Sequence, residues 1–138
     1  MAPTLVLKDG KPFMALGTHG GVRIFSTVMQ GIINVIDHGM TLQQAVEAPR
    51  IWTMMFGELN VEEGYPVDVT AILEQMGHII KRVKVVASGM TSVRVDPQTH
   101  LLHGSVCWRG DGTAVGWSGG DALDTRFPYP PVWDGPNR

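Results

Sequence analysis

The stretch of this chain best able to do chemistry is Gly17-Thr18-His19-Gly20-Gly21-Val22-Arg23, where an apolar strand pattern gives way to a glycine pair and a helical pattern. Glycines there let backbone N–H groups face outward, and the first N–H groups of a helix add the positive end of its dipole. The segment outlines an oxyanion or anion site; the alternative is that Gly20 and Gly21 simply make a tight turn. A phosphate loop is a poor match, because neither GxxxxGK[ST] nor GxGxxG occurs. His19 is a candidate acid or base, because imidazole is the side chain suited to proton transfer near neutral pH, but no Ser or Cys beside it suggests a triad, so a turn histidine is the competing reading. His100 and His103 have HxxH spacing, which around a hairpin places them on opposite faces of a strand, whereas zinc wants three or four converging ligands. A metal site is not expected. Cys107 sits inside an apolar run and reads as a small buried hydrophobe rather than a nucleophile. Asp111 with Asp121 or Asp124 offers paired carboxylates, or ordinary solvated loop residues.

These groups must be positioned by an ordered frame. Thr4-Leu5-Val6-Leu7 and Pro12-Phe13-Met14-Ala15-Leu16 flank Asp9-Gly10, a strong hairpin signal. A helix is expected from about Val22 to His38, with Arg23, Thr27, Gln30, Asn34 and Asp37 as one polar stripe and the remaining circumference apolar and nearly buried. Gly39 marks its C-terminal end. Thr41-Leu42-Gln43-Gln44 has the spacing of a capping box, and Pro49 closes that second, short helix. Glu58 to Glu62 alternates like a half-exposed strand. Pro66 opens a third helix with Val69, Ile72, Leu73 and Met76 as its apolar face, ended by Gly77. Strands are expected over Ile79–Ala87, Thr91–Val95 and Leu101–Trp108, with one more short strand over Ala114–Trp117. From Ser118 to Arg138, turn and breaker residues give an extended Pro/Gly-rich tail, whose Tyr129-Pro130-Pro131 reads as a polyproline ligand or a plain surface segment. The order describes a mixed α+β domain without regular βαβ alternation.

Composition narrows the partners. With 138 residues the chain fits one domain, and a net charge of −2 gives no field suited to nucleic acid or an anionic membrane. One cysteine rules out an internal disulfide, and no apolar run approaches the ~20 residues of a membrane span. No cofactor motif is present. The chain taken alone reads as soluble and unexported, cytoplasmic if it is a complete gene product. Glycine is abundant, 17 of 138 residues.

Several ordered blocks together carry a family likeness. They are Met1-Ala2-Pro3-Thr4-Leu5-Val6-Leu7-Lys8-Asp9-Gly10-Lys11-Pro12, Gly17 to Ile24, Asn34-Val35-Ile36-Asp37-His38-Gly39-Met40 and Glu47-Ala48-Pro49-Arg50, followed by Glu58 to Glu62, Met76-Gly77-His78 and Ala114-Val115-Gly116. Over residues 1–117 the sequence resembles the C-terminal part of the small subunit of γ-glutamyltransferases. That resemblance implies part of an αββα sandwich of the N-terminal nucleophile hydrolase type, in a precursor that cleaves itself to free a catalytic threonine. The threonine attacks the γ-glutamyl carbonyl of glutathione-like substrates, and the acyl-enzyme passes the group to water or an amino acid. The family's adjacent glycines supply oxyanion-stabilising N–H groups and fall here on Gly20 and Gly21, with Thr18 and His19 where Ser-Pro is usual. The nucleophile segment and the large subunit are expected outside these residues. The implied partners are therefore a γ-glutamyl small molecule and a nucleophile-bearing chain, or a second copy of this chain. The alternative is a non-catalytic remnant that self-associates or binds. Either case leaves a sheet edge and an apolar helix face to be covered.

Overall fold

The computed structural model describes residues 2–54 and 57–116. Strands β1 (Thr4–Lys8) and β2 (Lys11–Thr18) form the expected hairpin, with Leu7 opposite Pro12 and Lys8 opposite Lys11. Its two turn residues, Asp9 (φ 53°) and Gly10 (φ 74°), both lie in the left-handed region that a two-residue turn between right-twisted strands requires. After β2 a single 3-10 turn, Gly21–Arg23, leads into α1 (Ile24–Ile36), and α2 (Leu42–Glu47) follows. Next come β3 (Ile51–Trp52), β4 (Leu59–Glu62), α3 (Val67–Gln75) and β5 (Ile80–Val83), then β6 (Met90–Val95) and β7 (Leu102–Val106).

Two sheets result. One is antiparallel with order β1-β2-β6-β7; the other has order β3-β4-β5, its β4–β5 pair parallel. Among the described residues β4-α3-β5 is therefore a βαβ unit, a single one without the regular alternation of a doubly wound sheet. Period-two alternation along β2 turns Met14, Leu16 and Thr18 inward, and β6 adds Met90. Val28 and Val35 of α1 and Leu42, Ala45 and Val46 of α2 close the core over them. At Gly31 the helix lies so near the sheet that a Cβ would meet Met90 Sδ at 3.1 Å and Leu16 Cδ1 at 3.2 Å.

The capping box at α2 forms as read: Thr41 Oγ1 accepts from the Gln44 N–H, and Gln44 Oε1 accepts from the Thr41 N–H at 3.0 Å. Gly39 (φ 65°) ends α1. Because an N-cap hydroxyl satisfies an otherwise orphaned helical donor, Thr41→Ala is expected to lower the unfolding free energy by about 1 kcal/mol, measured as a shift of the urea midpoint at constant slope.

Three expectations are corrected. The middle of the polar stripe of α1 is taken into the protein: Thr27 is fully buried and Gln30 Nε2 and Oε1 bond the carbonyl and N–H of Ile51, each at 2.9 Å, whereas Arg23, which stacks on Trp52, and Asp37 at its two ends are exposed. Backbone groups left unpaired at the start of β3 need polar partners, and this stripe supplies them. The apolar residues Phe25, Met29 and Ile36 are instead exposed. On α3, Val69, Ile72 and Met76 are likewise exposed, and Thr70 is its one buried residue, its hydroxyl accepting from Arg82 Nη2 at 2.7 Å. Residues 114–116 form no strand; Trp117 and the tail lie outside the described residues. Among the described residues no helix is long and apolar enough to cross a membrane.

Candidate active site at the end of strand β2

The backbone where β2 meets α1 carries two consecutive positive-φ glycines, Gly20 (φ 132°, ψ 25°) and Gly21 (φ 63°). Only glycine adopts the first of these conformations readily. Among the described residues neither N–H donates a hydrogen bond, and both glycines are exposed. Successive N–H groups beside the N-terminal end of a helix form a concavity suited to negative charge. An apolar depression of about 530 Å³ adjoins Gly21, lined by Ala2, Ile24, Phe25 and Met29 among others.

The glycine pair rests on a turn from another part of the chain. A Cβ on Gly20 would lie 3.6 Å from Ala87 Cβ and from Ser88 Oγ, and Ala87 itself has φ 62°. That turn is held from beneath. The buried Thr18 hydroxyl donates to the Gly89 carbonyl at 2.9 Å, with the Ser88 carbonyl at 3.3 Å. Arg50, only 3% exposed, donates through Nη1 to the Ser88 carbonyl at 2.9 Å and through Nη2 to the Val46 carbonyl at 3.1 Å. Its Nη2 also reaches Cys107 Sγ at 3.5 Å, and the Met90 N–H donates to the same sulfur at 3.1 Å.

A buried carboxylate ties this together. Glu62 Oε1 accepts from the Val86 N–H and from Arg109 Nε, both at 2.7 Å; Oε2 accepts from the Arg50 N–H at 2.9 Å and from Arg109 Nη2. Arg109 also donates to the Val46 carbonyl at 3.1 Å and the Ala48 carbonyl at 2.9 Å, and stacks on Trp108. Burial, and then the neighbouring Arg109 charge, hold the Arg50 guanidinium below its ordinary value. Burial raises the Tyr65 hydroxyl, and the Glu62 charge adds to the effect.

The candidates from sequence separate cleanly. Gly20 and Gly21 stand together at a built turn. His19 is exposed beside them, its carbonyl 3.1 Å from the Thr18 hydroxyl. His100 (φ 60°) lies at a surface depression with Lys8 and Pro12, whereas His103 lies at another with Arg94 and Thr41. Cys107 is buried as expected and Asp111 is exposed; Asp121 and Asp124 lie outside the described residues. Sequence reasoning missed Arg50, Glu62 and Arg109. The available signal was a glutamate closing the short apolar strand Leu59-Asn60-Val61, which was read as half-exposed.

Residues 1–117 match the gamma-glutamyltranspeptidase family. The chain belongs to that family. It is similar to the Acylase ACY 1 proenzyme of Pseudomonas sp. (strain SE83), 48% identical over 120 residues that cover 87% of this chain and 21% of the relative. It is also similar to the glutathione hydrolase proenzyme of Bacillus subtilis (strain 168), 36% identical over 116 residues, 84% of this chain and 20% of the relative. Among solved structures, a gamma-glutamyltranspeptidase of Helicobacter pylori aligns at TM-score 0.74 and 39% identity, covering 80% of this chain and 61% of that one. The cephalosporin acylase of Bacillus halodurans aligns at TM-score 0.74 and 32% identity, covering 86% of this chain and 22% of that one. The chain thus spans about a fifth of the length of these curated relatives. Its α+β fold is a portion of the N-terminal nucleophile hydrolase sandwich found in gamma-glutamyltranspeptidases and acylases.

Proposed function

We propose that this chain is the C-terminal part of a γ-glutamyl-transferring or -hydrolysing enzyme, to which Gly20 and Gly21 contribute N–H donors for the oxyanion of the tetrahedral intermediate. The observation that carries the reading is the pair of consecutive positive-φ glycines at the junction of β2 and α1, whose N–H groups donate to nothing among the described residues. Donors fixed before the reaction stabilise charge that develops only in the transition state. The nucleophile comes from another segment or chain: the Thr18 hydroxyl beside the pair is buried and bonded to carbonyls, and Cys107 is buried. The exposed apolar face of α1 is the natural seat for the remainder of such an assembly.

Likeness to acylases favours a second acyl group, so the test uses two substrates, a chromogenic γ-glutamyl anilide and an acylated cephalosporin. This chain, assembled with the nucleophile-bearing part of a relative, is expected to turn over the anilide, whereas the chain alone does not. Turnover of the cephalosporin only would reassign the acyl group. Absence of turnover with both substrates in a stable assembly would leave the non-catalytic remnant.

A further inference from the structure

We propose that Cys107 is a thiolate, the second anion of a buried four-residue cluster with Arg50, Glu62 and Arg109, and that through Arg50 it positions the turn under Gly20. Arg50 and Glu62 are each at most 3% exposed, the Arg109 Nη2–Glu62 pair is equally enclosed, and Cys107 is 2% exposed. Two guanidiniums thus share one carboxylate. Both oxygens of Glu62 are engaged by Arg109, and the remaining donors to them are the backbone N–H groups of Arg50 and Val86. Among the described residues no carboxylate touches the Arg50 guanidinium, whose partners are the carbonyls of Val46, Val86 and Ser88 and the sulfur of Cys107. A buried cation with no anion in contact is costly, and among the described residues Cys107 is the ionisable group that hydrogen-bonds to this guanidinium.

The surroundings of the sulfur fit an anion. It accepts from the Met90 N–H and Arg50 Nη2, and among the described residues donates to nothing. Burial alone would raise this thiol, but the N–H groups of Met90 and Arg109 and the Arg50 charge outweigh it and hold the thiol below its ordinary value. The nearby Tyr65 hydroxyl, raised by the same surroundings, stays neutral and supplies no second charge. Arg50 Nη1 then reaches the Ser88 carbonyl at 2.9 Å, and Ala87 and Ser88 pack beneath Gly20. Cys107 acts through Arg50 and is a positioning residue.

Because this is the only cysteine, its ultraviolet thiolate absorbance can be read directly on the full chain against Cys107→Ser. The expected result is a thiolate signal at pH 7 that disappears in denaturant at the same pH, where the thiol returns to about 8.5. The comparison of folded with denatured wild type stands even if the serine variant folds poorly. Absence of the signal in the folded chain until pH nears that ordinary value overturns the proposal. Thermal melts add a test of sign. A folded value below the unfolded one makes the stabilisation complete above the ordinary thiol value and lost as pH falls through the folded value. Cys107→Ser is expected to lower the midpoint at high pH by about 4–8 °C, and Cys107→Asp, which restores an anion, to recover most of it; an aspartate variant less stable than the serine one also overturns it. That Gly20 is the group positioned rests on the oxyanion reading. If the thiolate is seen but kcat of the assembled enzyme is equal for wild type and Cys107→Ser, the positioning role falls while the charge state stands.

Discussion

Glu62→Gln is expected to lower the unfolding free energy by about 3–5 kcal/mol, far more than removal of an exposed carboxylate. Glu62 is 2% exposed and its two oxygens accept four donors: Arg109 Nε and Nη2, and the N–H groups of Arg50 and Val86. An amide keeps the shape but loses the charge, and turns N–H groups toward Arg109, which has only donors to offer. Removing one partner of a buried pair leaves the other charge uncompensated, which is why the effect exceeds the worth of the pair itself. Urea denaturation measures it. A loss below about 1 kcal/mol would mean that the cluster is solvated like a surface pair.

Gly20→Ala is expected to reduce kcat of the assembled enzyme on a γ-glutamyl anilide by roughly 10²–10³-fold, the usual cost of one lost oxyanion donor, with KM much less affected. There is space for a methyl group, since its nearest neighbours would be 3.6 Å away; the conformation is the obstacle. At φ 132° an alanine is strained, and relief by rotation turns the peptide plane that carries the Gly21 N–H. The control is Gly39→Ala, which introduces comparable left-handed strain at φ 65° at the far end of α1 and is expected to leave kcat unchanged. Full turnover by Gly20→Ala would remove the glycine pair from the mechanism.

How far the sequence reaches can be judged from particular residues. Asp9-Gly10, Gly39 and Thr41–Gln44 were legible because each is a local demand of the backbone, met within four residues. That Gly20 and Gly21 break the chain between a strand and a helix was legible for the same reason. The direction of α1 was not. Period and polarity locate a polar stripe but do not say whether water or the β3 backbone satisfies it, and here Gln30 is taken up by Ile51, 21 residues away. Burial of Glu62 was illegible for a related reason, because its partners Arg50, Val86 and Arg109 are scattered over 59 residues of chain and meet only in three dimensions. The apolar faces of α1 and α3 were recognised as apolar, but what covers them does not lie among the described residues.

The Gln30 side chain has a consequence for how copies of this chain can meet. By engaging both the N–H and the carbonyl of Ile51, its amide does what one residue of an adjoining strand would do. The outer rim of β3 is thereby already occupied at Ile51, and a foreign strand seeking to extend the three-stranded sheet from that side would first have to displace a helix-borne amide. Among the described strands, β1, β5 and β7 are the rims on which a further strand can be templated. A surface helix thus serves as a stopper against runaway growth at the rim it lies beside.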